Sequence, residues 1–208
     1  TFGLEPDILT CAKALTSGYI PIAAVMINKR VYDAIAPQTE RIGTFGHGFT
    51  YSGHPVPAAV ALATLKIYDE MDLVSRVRQA SAPFLKRLHS FADHPLVGET
   101  MGVGLVGAVE LVADKATRGP LDPVGKTGPY LVARAQEHGL IVRALGDRIA
   151  FSPPLIISES ETGRMFDRFA AALDETAAWL LSGGTRRKLT LNTPVPRGKT
   201  AQPAGRTD

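Results

Sequence analysis

Apolar and polar residues fall into blocks along the chain, and the blocks change period at glycine and proline punctuation. An apolar run from Ile8 to Cys11 leads to Lys13. The small residues Ala12, Ala14, Thr16, Ser17 and Gly18 follow, and a second apolar run reaches Val25-Met26-Ile27. This reads as strand, turn, strand. Val31 to Ala36 reads as a short helix stopped by Pro37. After a glycine-rich stretch from Gly43 to Pro55, a helix is expected to begin close to Pro55, with Ala59, Val60, Ala63, Ile67 and Met71 as its apolar face. A second amphipathic helix covers Leu73 to Phe91, marked by Val74, Val77, Leu85, Leu88 and Phe91 and expected to kink at Pro83.

Strands are expected around Leu96 to Glu99 and Leu105 to Leu111, then a helix from Tyr130 to His138 ending at Gly139. Leu140 to Ala144 and Arg148 to Phe151 read as a strand pair joined by a turn at Gly146-Asp147. Ser158 and Glu161 have the spacing of a capping box, opening a last helix that runs towards Leu181 and ends at Gly183-Gly184. There is no internal repeat. The pattern places a break near Glu70 to Leu73, with parallel-type strands, loops and helices before it and a compact α+β unit after it.

Composition narrows the class. The chain has 208 residues, 45% of them hydrophobic, enough for a packed core. No apolar run has the length of a membrane span and no signal-peptide pattern follows Thr1. Cys11 is the single cysteine, so no internal disulfide can form, which fits a reducing, cytoplasmic setting. A net charge of +3 invites a nucleic-acid partner. From Gly183 onward, however, six basic residues stand against Asp208, which leaves the remainder slightly acidic. The basicity belongs to a tail without apolar periodicity that reads as disordered, so no nucleic-acid or membrane partner is expected.

Candidate chemistry begins at Lys13. A lysine at a strand end, beside an apolar run and among small residues, can be partly desolvated. Its neutral amine is then available for a Schiff base with an aldehyde cofactor. Most lysines are solvated surface charges, but no acidic residue stands close by in sequence as an ion-pair partner. The loop Gly48-Phe49-Thr50-Tyr51-Ser52-Gly53-His54-Pro55 stands ahead of a helix, where backbone N–H groups, hydroxyls and the dipole suit a phosphate. Gly125-Lys126-Thr127 is no P-loop, because Pro120 stands where a glycine is required. The five histidines show no zinc-type spacing, so no metal is expected.

Lys13 with its surroundings, the Gly48 to Pro55 loop and the run Leu140-Ile141-Val142-Arg143-Ala144-Leu145-Gly146-Asp147 together resemble the class III aminotransferases. These are fold-type I, pyridoxal-phosphate-dependent enzymes, and the likeness is nearest to the ω-amino acid and amine:pyruvate transaminases. It extends over about Thr1 to Leu181. It implies an α/β fold: residues 1–71 as the end of a fold-type I large domain, 72–182 as a small α+β C-terminal domain, and 183–208 as the tail. It also implies pyridoxal 5′-phosphate as cofactor, held by Lys13 as an imine, with Lys13 the base and acid of the proton shift. Thr50 and the backbone at Phe49 would bind the cofactor phosphate of a neighbouring subunit, so that a homodimer shares its sites. Arg143 matches the arginine that pairs with the substrate carboxylate.

The family's catalytic domain begins far upstream of Thr1. The aspartate on the pyridine nitrogen, the aromatic residue stacked on the ring and the upstream phosphate loop have no counterpart in this chain. The chain is therefore expected to be the C-terminal half of a transaminase, inactive and poorly soluble alone. A mutase or decarboxylase of the same family, and an inactive truncated product, remain alternatives.

Overall fold

The computed structural model describes residues 2–184. Apart from its first two residues, the expected basic tail lies outside the described residues. The described chain divides into two compact units: residues up to Phe84 together with Pro153–Glu159, and Leu85–Ser152 together with the residues from Ser160. The division falls inside a helix, whereas the pattern had placed the break just before it.

In the first unit, β1 (Ile8–Ala12) and β2 (Ala23–Ile27) form a two-stranded sheet in which Ile8 faces Ile27 and Ala12 faces Ala23. The strand–turn–strand reading holds, but the pair is antiparallel, not parallel. The connection, Lys13 to Ile22, holds only a 3-10 turn and a short loop, and a parallel pair would need a longer crossover. Asp7, just ahead of β1, accepts from Asn28 Nδ2 at 2.6 Å and pairs with Arg30, so it lies at the far end of the strand from Lys13.

Helix α1 (Lys29–Ile42) is capped by the Asn28 side chain, which accepts from Val31 N, and ends at Gly43 with φ +74°. It is longer than expected because it continues through Pro37. Pro37 removes one N–H from the helical ladder, but it lies on the exposed side, where water can satisfy the freed carbonyl.

Helix α2 (Pro55–Glu70) starts at the expected proline. Its covered face is not the expected one: Ala61 and Thr64 are buried and Val60 is half-buried, while Ile67 and Met71 are exposed. The helix carries apolar residues all round, Val56, Leu62 and Leu65 among them, so spacing alone does not single out the covered side.

Helix α3 (Leu73–His89) continues through Pro83 and runs into a 3-10 turn at Ser90–Asp93. The second unit then builds a four-stranded antiparallel sheet from β3 (Val97–Val103), β4 (Val106–Leu111), β5 (Arg143–Leu145) and β6 (Arg148–Phe151), in the order β3-β4-β6-β5. Alternate residues of β4 (Gly107, Val109, Leu111) and of β6 (Ile149, Phe151) are buried, which gives the sheet one apolar face. Helix α4 (Thr127–Glu137) ends as expected before Gly139, whose φ is +75°.

Helix α5 (Glu159–Leu181) buries Thr162, Phe166, Phe169, Ala172, Leu173 and Thr176, a helical stripe. Phe91, Phe151, Phe166 and Phe169 form the centre of this unit. The ring of Phe169 meets those of Phe91 and Phe151 edge-on, each at 4.9 Å between centroids.

The turn between β5 and β6 does more than join strands. Asp147 accepts from Gly125 N at 2.5 Å and Gly128 N at 2.9 Å, which fastens the start of α4 to this turn. Gly128 is required there, because a Cβ would collide with the Gly146 carbonyl oxygen. The Gly125-Lys126-Thr127 segment is thus a helix start at which Asp147 takes the N–H groups of Gly125 and Gly128.

Candidate active site

Lys13 opens a 3-10 turn (Lys13–Thr16) directly after β1. Two residues of this segment have positive φ without being glycine: Lys13 at +52° and Ser17, which closes the turn, at +49°. Left-handed backbone costs an L-residue on the order of 1–2 kcal/mol. Such conformations persist where surrounding contacts over-determine them, and they gather at functional sites.

The contacts here are specific. The buried Thr16 hydroxyl donates to Ile20 O at 2.6 Å, and Tyr19 N donates to Thr16 O at 3.0 Å. From α2, the Tyr68 hydroxyl donates to Ala14 O at 2.6 Å. Its single hydrogen is used there, so the Ser17 hydroxyl, 3.1 Å away, is the donor to Tyr68.

The turn forms one wall of an open cleft of about 580 Å³, lined by Ala12, Lys13, Thr16, Gly18, Ile20, Pro21, Ile22 and Ala23. The Lys13 amine makes no ion pair or hydrogen bond among the described residues, and no lining residue is acidic. The desolvation expected from its apolar neighbours is not present: Lys13 is exposed, because the hairpin carries no covering layer over it. What the cleft offers is an unpaired amine among small residues, with room for a flat ring.

The glycine-rich loop behaves differently from its sequence reading. Phe49 and Tyr51 are 80% and 79% exposed. Phe49 N donates to Ser52 Oγ and Ser52 N donates to Phe49 O, both at 2.9 Å, which closes a small turn around Thr50. The expected free N–H groups at the start of α2 do not exist. Pro55 and Pro57 have none, and Val56 N donates to His54 Nδ1 at 3.1 Å. Donors for an anion can therefore come only from the loop ahead of the helix, where the exposed Thr50 keeps its own N–H and hydroxyl without partners among the described residues.

Arg143 lies in the second unit, at the start of β5, an edge strand of the four-stranded sheet. Its side chain is exposed and has no carboxylate partner among the described residues. The neighbouring Arg148, by contrast, is paired to Glu110 at 2.7 Å across β6 and β4. The apolar pattern did not point to Tyr68, and it marked Ser17 only as one of the small residues after Lys13. The hydroxyl–carbonyl contact that matters joins residues 54 apart. Among the described residues no group of three or more His, Cys, Asp or Glu could hold a metal ion, and no helix is long and apolar enough to cross a membrane.

Comparison with known proteins sets this geometry in a family. The model of the aminotransferase class-III family matches residues 1–173. Gamma aminobutyrate transaminase 3, chloroplastic, from Solanum lycopersicum is 43% identical over 175 residues, covering 84% of this chain and 34% of that protein. Vanillin aminotransferase from Capsicum chinense is 39% identical, over 84% of this chain and 38% of its own length. The chain thus spans little more than a third of the length of these curated relatives. The crystal structure of the omega transaminase from Pseudomonas jessenii in complex with PMP superposes with a TM-score of 0.83 at 51% identity, covering 88% of this chain and 40% of that one. With the lysine turn, the loop ahead of α2 and the β5–β6 pair all inside the matched region, the chain belongs to the class III aminotransferases.

Proposed function

We propose that these residues serve a transamination in which an amino group passes from an amine or ω-amino acid to a keto acid such as pyruvate, with Lys13 carrying the cofactor. The observation that bears most weight is the unpaired Lys13 amine on a strained turn, facing a cleft lined by small and apolar residues. The cofactor is pyridoxal 5′-phosphate, and the residues present suit its aldehyde end: an amine free of ion pairs and no bulky aromatic side chain in the way. When bound, it supplies an electron sink for the carbanion formed at the donor carbon.

The rest is done by side chains. Lys13 Nζ holds the aldehyde end; when free, it holds and moves the proton that the donor carbon gives up. Thr50, with the backbone at Phe49, takes the phosphate of a neighbouring subunit. The exposure of that loop and the free donors of Thr50 support this role, and Ser52 must then share or release the Phe49 N–H. Arg143 grips the substrate carboxylate through two parallel hydrogen bonds, a task suited to a guanidinium with no carboxylate of its own. The active assembly is a homodimer with shared sites, and the compartment is the cytoplasm, to which a single cysteine is suited. Alone, the chain is inactive: no residue lining the cleft could hold the pyridine nitrogen protonated.

The test is to load the full-length protein with pyridoxal phosphate, reduce it with borohydride and map the peptides. Label on Lys13 is expected; label on another lysine with Lys13 intact would refute the assignment. Supplying an amine donor and pyruvate and assaying alanine then separates transamination from a mutase or decarboxylase of the same family.

A further inference from the structure

We infer that Tyr68 is a positioning residue for Lys13, acting through the Ala14 carbonyl and the Ser17 hydroxyl; this rests on the reading that Lys13 carries the cofactor. The turn that presents Lys13 begins and ends in left-handed, non-glycine backbone, at Lys13 and Ser17. Such a turn keeps its shape only if something outside it holds both ends. Tyr68 reaches both. Its hydroxyl donates to Ala14 O at 2.6 Å, one residue after Lys13, and accepts from Ser17 Oγ at 3.1 Å, where the turn closes.

Ala14 O also accepts from Ser17 N at 3.2 Å, so one carbonyl gathers the turn's own hydrogen bond and the strap from α2. The remaining contacts, Thr16 Oγ1 to Ile20 O and Tyr19 N to Thr16 O, are local to the segment. Among the described residues, Tyr68 is therefore the side chain whose hydrogen bonds tie the Lys13 turn to a helix. Tyr68 does not line the cleft and makes no hydrogen bond to the Lys13 amine, so its influence passes through the Ala14 carbonyl and the Ser17 hydroxyl.

The test compares wild type, Tyr68→Phe, Ser17→Ala and the double variant in the full-length chain. The phenylalanine keeps the ring and removes only the strap. Three readouts are taken: amide hydrogen exchange at Ser17 and Tyr19, the rate at which pyridoxal phosphate becomes reducible onto Lys13, and kcat against KM. Tyr68→Phe is expected to speed exchange at those two amides without altering α5. It should slow labelling of Lys13 and lower kcat about tenfold, with donor KM within about twofold, as misplacement of a reacting group does. Ser17→Ala should do less, and should add nothing once Tyr68 is Phe, because its hydroxyl donates to that tyrosine.

Unchanged exchange and labelling in Tyr68→Phe would overturn the inference while leaving Lys13 as the cofactor lysine. A lysine other than Lys13 carrying the label in wild type would overturn the underlying reading, and this inference with it.

Discussion

In the second unit Phe151, Phe166 and Phe169 are sealed from solvent, whereas in the first Ile8 and Val25, on the strand pair, are 55% and 66% exposed. The second unit has a sheet covered by helical apolar stripes, and its stability comes from burial. The first has a bare hairpin, a turn held by hydroxyls and a helix that is apolar all round. A lone hairpin is marginal in water. The proposed cofactor lysine and the buried core thus belong to different units. The amine proposed to react sits where few side chains are packed, and the strain in its turn is held by a handful of polar contacts instead of a core.

The sharpest break of this comparison is at Lys13 itself. Lys13→Ala should reduce amino transfer by at least about a thousandfold, since nucleophile and proton carrier are lost together. Because the side chain is exposed, stability should change by no more than about 0.5 kcal/mol. Turnover close to wild type in a coupled alanine assay would remove the amine from the mechanism.

The opposite pattern is expected from Phe169→Ala, which opens a cavity between Phe91, Phe151 and α5 and should cost about 3–5 kcal/mol. Leu9→Ala in the exposed hairpin should cost under about 1 kcal/mol. Denaturant unfolding followed by far-UV circular dichroism, which sees both units, and by Trp179, the single tryptophan, stacked 3.9 Å from Tyr130 in the second unit, reads the two variants. Equal shifts of the midpoint for the two variants would mean that the units are not stabilised differently.

The same contrast explains what the sequence made legible. In the second unit β4, the Gly139 stop and the Gly146-Asp147 turn fall where the pattern puts them, while the strand expected over Leu140 to Ala144 is confined to Arg143–Leu145. In the first unit the pattern found the elements but not their faces. The α2 stripe differs because apolar residues surround that helix, and the strand pair runs antiparallel because its link, Lys13 to Ile22, holds no crossover element. The start of α2 offers no free N–H because two prolines and His54 use up its first positions, which is visible in the residues once the helix start is fixed. Lys13 could be singled out from its neighbours; its left-handed φ and its tie to Tyr68 could not, since both depend on tertiary contacts.

Arg143 tests whether the second unit contributes anything beyond stability. Arg143→Ala should raise KM for carboxylate acceptors about tenfold to a hundredfold, the worth of a charge-assisted bidentate contact of roughly 1.5–3 kcal/mol. KM for simple aldehydes should hardly move. Equal losses for both acceptor classes would make Arg143 a structural residue of an edge strand.

The smallest effect is expected at Asp114, in the loop after β4. Its carboxylate accepts from Ala116 N at 2.8 Å and Thr117 N at 3.4 Å, and these bonds, Ala116 first and then Thr117 with its hydroxyl, hold its pKa below the ordinary value of 3.8. A carboxyl whose pKa is lower in the folded state stabilises the fold fully above its ordinary value, and that contribution disappears as pH falls through the lower, folded value. The loop bridge between Asp114 and Gly119 should therefore loosen only in strong acid. Asp114→Asn keeps an acceptor oxygen but not the charge, so the acid limb of unfolding, followed by Trp179 fluorescence, should flatten slightly while the neutral-pH midpoint stays put. An acid limb identical to wild type would show that this carboxylate plays no part in holding the second unit, leaving burial alone to account for its stability.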